Sequence, residues 1–311
     1  MVSPSRLSVA GAVVVLCLVS VIPRATSTVG QIDALSSPSS YVFKSIDFPN
    51  AASTQAFGIN ERGDVVGAYT DTAGNSHGFQ LSDGKFRAID FPGGVLTSAR
   101  GINDDGAVAG GFAESNDPSV VHGFVLRNGK FLELDFPGSA HSGILGINEA
   151  GDVTGSYDLG DINTGIGYFT HRQEFKSFEV PGSAPLSTGP HGINDDGQVV
   201  GFYNDGANPN VVHGFLLDDG KFTTIDYPGA TVTGFFGINE RGDLIGGCTC
   251  IDGMGHGLLY TDGQFTIISY PNASHTRPRG INDRGQIVGF YQMAANAPLQ
   301  GFIATPKHSA E

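Results

Sequence analysis

A four-stranded antiparallel β-sheet, repeated six times, is the architecture the sequence predicts, and three observations predict it. The tripeptide Gly-Ile-Asn recurs at Gly58, Gly101, Gly146, Gly192, Gly237 and Gly280, spaced 43, 45, 46, 45 and 43 residues apart. Between these marks, short β-branched and aromatic runs alternate with Gly- and Asp-rich turn signals. No stretch after residue 27 carries the 3.6-residue apolar period of a helix. A period near 45 residues, with four strands in each copy, is that of a propeller blade; a β-solenoid coil is shorter. The expected fold is therefore all-β, a six-bladed β-propeller spanning residues 41–305.

The unit is clearest at 213–246, where Lys221–Tyr227 reads as strand 1, Phe235–Asn239 as strand 2, Asp243–Gly247 as strand 3 and His213–Leu217 as strand 4. Asp-Asp-Gly and Glu-Arg-Gly turns join strands 2 and 3. Asp-Gly or Asn-Gly pairs join strands 4 and 1, because Asn and Gly tolerate positive φ. The copies begin with a strand 1 (Tyr41–Pro49) and end after a strand 4, so each strand type occurs six times. The blade boundary falls after strand 1 or after strand 3, and either choice builds one blade from both ends of the chain. In the first case strand 41–49 pairs with the C-terminal blade and removes free sheet edges.

Composition narrows the function. Gly 46 and Pro 16 are too many for a helical bundle. Lys+Arg 17 against Asp+Glu 31 gives a net charge of −14, which repels phosphate backbones and argues against nucleic acid as a partner. Residues 1–27 read as a signal peptide: Arg6, then the apolar run Leu7–Ile22, then Ala25-Thr26-Ser27 as a small-x-small cleavage pattern. The run is shorter than the roughly 20 residues of a membrane span, although an uncleaved N-terminal anchor is the alternative. The expected location is secreted, extracellular or periplasmic. Residues 28–40 read as a polar spacer and 306–311 as a C-terminal tail.

Alternation of strand direction places turns 2–3 and 4–1 on one face of the disc and loops 1–2 and 3–4 on the other. The second face is where the copies differ, so it is the expected ligand face; simple drift of surface loops is the competing explanation. The residue before each Gly-Ile-Asn varies among constant neighbours: Phe57, Arg100, Leu145, His191, Phe236 and Arg279. With Arg277, these form the candidate ligand-binding set, the arginines being suited to bidentate recognition of a carboxylate or sulfate. Ordinary surface solvation is the plainer reading of the arginines.

Other chemistry has less support. His77, His122 and His213 recur in His-Gly-Phe, with His256 in a variant copy. Their repetition points to a structural bond with the Asp of Asp-aromatic-Pro (Asp90, Asp135, Asp226) or with the Asn of Gly-Ile-Asn (Asn60, Asn103, Asn148, Asn194, Asn239, Asn282). The acidic turns lack the spaced ligand series of a calcium loop, so Ca²⁺ is a weak alternative. Cys248, Cys250, Met254 and His256 form a soft set suited to Cu(I) or, less well, Zn²⁺; a disulfide between the two cysteines is the competing reading. The expectation is no cofactor. Glu114, Asp117, Asp158, Asp161, His141 and His191 are the only scattered candidates for a hydrolase.

The recurring pattern HGF–DG–F–DFPG–GIN–xxG–xVVG resembles the bacterial secreted HAF-repeat family over residues 41–303. That resemblance implies an exported repeat protein and carries no catalytic residues. The leading reading is a non-enzymatic binding or scaffold module for an extracellular protein or glycan. A secreted propeller hydrolase or lyase acting on polysaccharide or cell-wall material is the alternative, and a copper-binding protein the third.

Overall fold

The computed structural model describes residues 14–15, 40–114, 120–160, 165–250 and 254–307. The signal peptide lies outside the described residues apart from Val14–Val15, which runs parallel beside Glu174–Phe178. So do most of the polar spacer and the tail. Among the described residues no helix is long and apolar enough to cross a membrane.

Each repeat contributes one antiparallel sheet in the strand order 2–3–4–1. In the fourth unit Ser183–Ile193, Val199–Asp205, Val212–Asp218 and Lys221–Ile225 pair in that sequence. The same order holds in the first unit, from Ser53–Ile59 out to Lys85–Ile89. In the sixth, His275–Ile281, Ile287–Gln292 and Gln300–Pro306 are completed by Tyr41–Ile46, registered from Tyr41↔Pro306 to Ile46↔Gly301. The unit boundary therefore follows strand 1, and the first strand of the domain clasps the last. Single parallel contacts, Ser76↔Leu96 and Val212↔Val232, join units one to two and four to five.

Strand 2 of every unit packs edge-on against strand 2 of the next. A Cβ placed on Gly146 would lie 2.5 Å from the His191 carbonyl oxygen, and one on Gly280 would lie 2.8 Å from that of Phe57 and 3.2 Å from the Cα of Gly58. Only glycine permits so close an approach of backbones. The contact from Gly280 to Gly58 joins the last unit to the first.

The asparagine that follows ties the same strands together. Asn60 Nδ2 donates to Asn103 O at 3.1 Å, Asn103 to Asn148 O at 3.1 Å and Asn148 to Asn194 O at 3.1 Å. Asn194 then donates to Asn239 O at 3.3 Å, Asn239 to Asn282 O at 3.2 Å, and Asn282 back to Asn60 O at 3.0 Å. Each Oδ1 accepts the backbone N–H four residues on, as Asn148 does from Asp152 at 2.9 Å, which shapes the 2–3 turn. All six asparagines are buried, with relative exposure from 1% to 6%.

Apolar packing fills the space between units. The strand 4 residues Phe79, Phe124, Tyr168, Phe215, Leu258 and Phe302 are wholly buried. The aromatic that precedes the strand 1 proline, in Asp-aromatic-Pro or in Ser269-Tyr270-Pro271, reaches into the following unit and stacks on a strand 3 ring. Centroid separations are 3.7 Å for Phe48–Tyr69, 3.6 Å for Phe91–Phe112, 3.7 Å for Phe136–Tyr157 and 3.6 Å for Tyr270–Tyr291. Its backbone N–H is held by a Thr or Ser six residues on, as Phe91 is by Thr97 at 2.9 Å.

Asn148→Ala removes a buried donor and a buried acceptor at once, stranding Asn194 O and Asp152 N–H. The expected cost is about 2–3 kcal/mol, read as a melting midpoint lower by about 5–10 °C.

Candidate functional site

The pairing of strands 2 and 3 shifts register at the same place in every unit: at Ala56/Gly58, Ala99/Gly101, Ile144/Gly146, Pro190/Gly192, Phe235/Gly237 and Pro278/Gly280, with a further shift earlier in strand 2 of units two and four. The unpaired residues at the shared place are Phe57, Arg100, Leu145, His191, Phe236 and Arg279. Each is the extra residue of a β-bulge, a device that bends a strand and re-aims a side chain. The variable stretches ahead of Gly-Ile-Asn, with Arg100, Arg277 and Arg279, read in the sequence as loop 1–2; all six bulge residues and Arg277 lie inside strand 2. Their Gly- and Pro-rich flanks resemble loop sequence, yet those flanks pair regularly with strand 3.

Five of the six bulge side chains make contacts with one another or with strand 3 rings beside them. The Arg279 guanidinium lies 3.9 Å from the Phe236 ring centroid and 5.4 Å from that of Phe290. Arg100 covers Phe57 at 4.3 Å. The His191 ring meets Phe236 at 5.1 Å and Phe202 at 5.3 Å, and its Nδ1 lies 3.3 Å from Gly189 O. In order around the ring the residues run Phe, Arg, Leu, His, Phe, Arg: apolar on odd units, basic on even ones.

Among the described residues neither Arg100 nor Arg279 has an ion-pair partner, and Arg279 Nε is buried without a hydrogen bond. Burial lowers the Arg100 guanidinium to about 10. Burial, then the charges of Arg100 and Arg277, lower Arg279 to about 9. Burial, then Arg279 and Arg100, lower His191 to about 3, so its imidazole is neutral at ordinary pH. Arg277 is exposed two residues away, its Nε 2.6 Å from His275 Nε2.

One turn beyond the asparagines the sign reverses. Glu61 N–H donates to Asp104 Oδ1 at 2.7 Å, Asp104 to Glu149 Oε1 at 2.5 Å and Glu149 to Asp195 Oδ1 at 2.8 Å. Asp195 donates to Glu240 Oε2 at 2.9 Å, Glu240 to Asp283 Oδ1 at 2.9 Å, and Asp283 to Glu61 Oε1 at 2.5 Å. The sequence reading took these residues as turn chemistry alone. The signal for the belt was present: an acid follows every Gly-Ile-Asn, and Glu and Asp alternate from copy to copy.

The repeated histidines bridge carboxylates. His77 Nδ1 is 2.8 Å from Asp90, His122 Nδ1 is 2.7 Å from Asp135 and His213 Nδ1 is 2.7 Å from Asp226. Their Nε2 atoms lie 3.5 Å from Asp71, 3.2 Å from Glu114 and 3.1 Å from Asp205. Burial opposes protonation of His77, but the bonds to Asp90 and Asp71 outweigh it and raise the imidazole. Of the scattered hydrolase candidates, Glu114 is thus engaged by His122, and Asp158 holds His141 at 2.8 Å. Asp117 and Asp161 lie outside the described residues.

Cys248 and Cys250 are joined in a disulfide. Cys248 occupies the strand 3 slot that holds a stacking ring in its neighbours. Disulfide sulfurs are not thiolates, so the set with Met254 and His256 lacks its strongest soft-metal donors in this form. His122, Glu133 and Asp135 bring ligand-type atoms within 4.8 Å of one another, in a different unit from that set. A cleft of about 560 Å³ opens between Asn50–Thr54 and Ala297–Gln300 on the variable-loop face, and its lining residue Leu299 packs against Phe57 and Phe290.

No protein-family model matches the chain. No curated protein sequence matches it either. Solved structures share its fold. The β-propeller domain of the Trilobed protease from Pyrococcus furiosus, described as having an open velcro topology, is 11% identical with a TM-score of 0.51, over 82% of this chain and 96% of that one. A protein of unknown function from Dyadobacter fermentans is 10% identical with a TM-score of 0.54, over 85% and 98%. A putative TolB from Agrobacterium tumefaciens is 13% identical with a TM-score of 0.53, over 78% and 79%. At these identities the likeness establishes a β-propeller fold and nothing further.

The acidic belt makes stability pH-dependent. Burial raises Glu240 to about 7; its bond from the Asp195 N–H opposes this, and the charges of Asp195, Asp283 and Asp196 add to it. A raised carboxyl binds its proton more tightly in the folded state, so stability falls as pH rises from about 4.5 to about 7. Glu240→Gln keeps an acceptor and removes the charge. The variant is expected to melt with the parent at pH 4 and on the order of 2 °C higher at pH 8, measured by thermal denaturation across that range.

Proposed function

We propose that the chain is a closed six-bladed β-propeller, exported from the cytoplasm, that binds a ligand at its axis without catalysis. Closure at six is supported by the asparagine bonds, which pass through six units and return from Asn282 to Asn60. Export is supported by the N-terminal sequence pattern, by the likeness to HAF repeats and by the disulfide, which persists in oxidising compartments.

The observation that carries the binding reading is the ring of bulged residues. A position that varies in a conserved frame, aimed by an irregularity repeated six times, is how a rigid scaffold presents contacts. The histidine–carboxylate bridges recur from unit to unit and tie strands together, which accounts for them without turnover. An extracellular glycan or protein end is the partner class this reading favours.

Thermal melting of the purified chain against neutral and acidic oligosaccharides, peptidoglycan fragments and extracellular peptides tests it. A ligand at 100 times its Kd stabilises the native state by about 2.7 kcal/mol. The expected outcome is a raised midpoint with at least one of these, abolished in Arg100→Ala and retained in the Cys248→Ser, Cys250→Ser double variant. A panel that leaves the midpoint unchanged, or a shift indifferent to Arg100→Ala, would overturn the axial site.

A further inference from the structure

Resting on that reading, we infer that the axial ring is an oxyanion site, in which Arg100 and Arg279 receive one compact carboxylate- or sulfate-type group among the apolar ring residues, with neutral His191 as a packing neighbour.

The first reason is the missing partner. The chain has 31 acidic residues against 17 Lys and Arg, yet among the described residues neither ring arginine has an ion-pair partner and Arg279 Nε is buried without a bond. A buried donor of this kind is expensive to leave unmade, and a ligand oxygen satisfies it. The second reason is orientation. Each guanidinium lies over a phenyl ring, at 4.3 Å for Arg100 and 3.9 Å for Arg279. Stacking occupies the face of the group and leaves its N–H donors, which lie in the plane, for a bidentate acceptor. The third is arrangement. The two charged residues stand on units two and six, on either side of the unit that carries Phe57, and the apolar neighbours Phe57, Phe236 and Phe290 strengthen the attraction by excluding water.

Charge also sets the entrance. Glu61, Asp104, Glu149, Asp195, Glu240 and Asp283 encircle the turn side and repel an anion there. On the variable-loop side Arg277 and His275 stand at the start of strand 2, while carboxylates there such as Asp90, Asp135 and Asp226 are engaged by the repeated histidines. The group received by two guanidinium groups is compact: a free oxyanion, or the acidic substituent of a larger glycan.

Isothermal titration of the purified chain with sodium sulfate, against sodium chloride at matched ionic strength, decides the matter. Saturable 1:1 binding of sulfate alone is expected, weakened at least about tenfold in Arg100→Gln/Arg279→Gln, whereas chloride-like behaviour of sulfate overturns the inference. A parallel titration with a glucuronate oligosaccharide assigns the source: much tighter binding than sulfate points to the glycan substituent, equal or weaker binding to the free ion. Should the double variant fail to fold, parent crystals soaked in selenate give the answer, with an anomalous selenium peak within about 4 Å of Arg279 Nε expected and an empty axis overturning it. If neutral ligands bind at the ring and sulfate does not, the binding module stands and this inference falls.

Discussion

The cyclic chain of asparagine side-chain bonds is the constraint on which the rest of the architecture depends. Each blade of a propeller is a flat sheet with one edge at the axis, and that edge cannot be left with unpaired polar backbone in a crowded centre. The side-chain amide solves both halves of the problem in one residue. Its Nδ2 reaches the neighbouring unit's carbonyl, while its Oδ1 closes the local turn. Glycine two residues earlier lets the backbones come near enough for the amide to span the gap. Asp would keep the acceptor but lose the donor, and Gln would overreach. The invariance of Gly-Ile-Asn within this chain follows from geometry before any ligand is considered.

Closure in turn fixes what each unit is able to vary. The bulge sits between a strand 2 residue packed against the neighbouring unit, such as Ala56 or Phe235, and the glycine that must stay bare. It is a place on strand 2 where the side chain changes from unit to unit while the Gly-Ile-Asn that follows does not. Alternate units also differ elsewhere. Asp64, Asp152 and Asp243 on odd units hold Ser82, Thr170 and Thr261, whereas even units carry Ala107, Gln198 and Gln286 at that place. Together with the Glu/Asp alternation of the belt, this makes the repeating entity a pair of units, taken three times. The basic and apolar residues of the ring follow the same pairing.

Much of this was legible in the sequence, and the failures have identifiable causes. The strands, the turns and the six copies were readable because local chemistry and global fold agree: Asp83, Asn128, Asp219 and Asp262 adopt positive φ where Asp-Gly or Asn-Gly turns were expected. The pairing of histidine with the Asp of Asp-aromatic-Pro follows from their fixed separation across a hairpin. Reading Arg277 and Arg279 as loop residues failed because a bulge has no compositional signature; it appears only when two strands are set in register. The acidic belt was missed for a related reason, since its bonds join residues 43 to 46 apart and its alternation shows only when copies are compared in pairs. Whether two cysteines two residues apart bond or stay reduced is not decided by spacing, and it took the coordinates to join Cys248 to Cys250.

Placing two guanidinium groups together in a sparsely solvated ring is a poor choice for stability alone. Their mutual repulsion and desolvation oppose folding, and the cation–π contacts with Phe57 and Phe236 offset only part of that. Leu or Phe at units two and six would pack with the existing apolar residues and remove the conflict, as Leu145 and Phe236 show in their own units. The belt, the interunit stacks and the clasp together provide a frame rigid enough to hold the strained ring in place. A site that departs from the pattern followed by its surroundings, and that lowers the stability of an otherwise self-consistent scaffold, is where physical reasoning locates function.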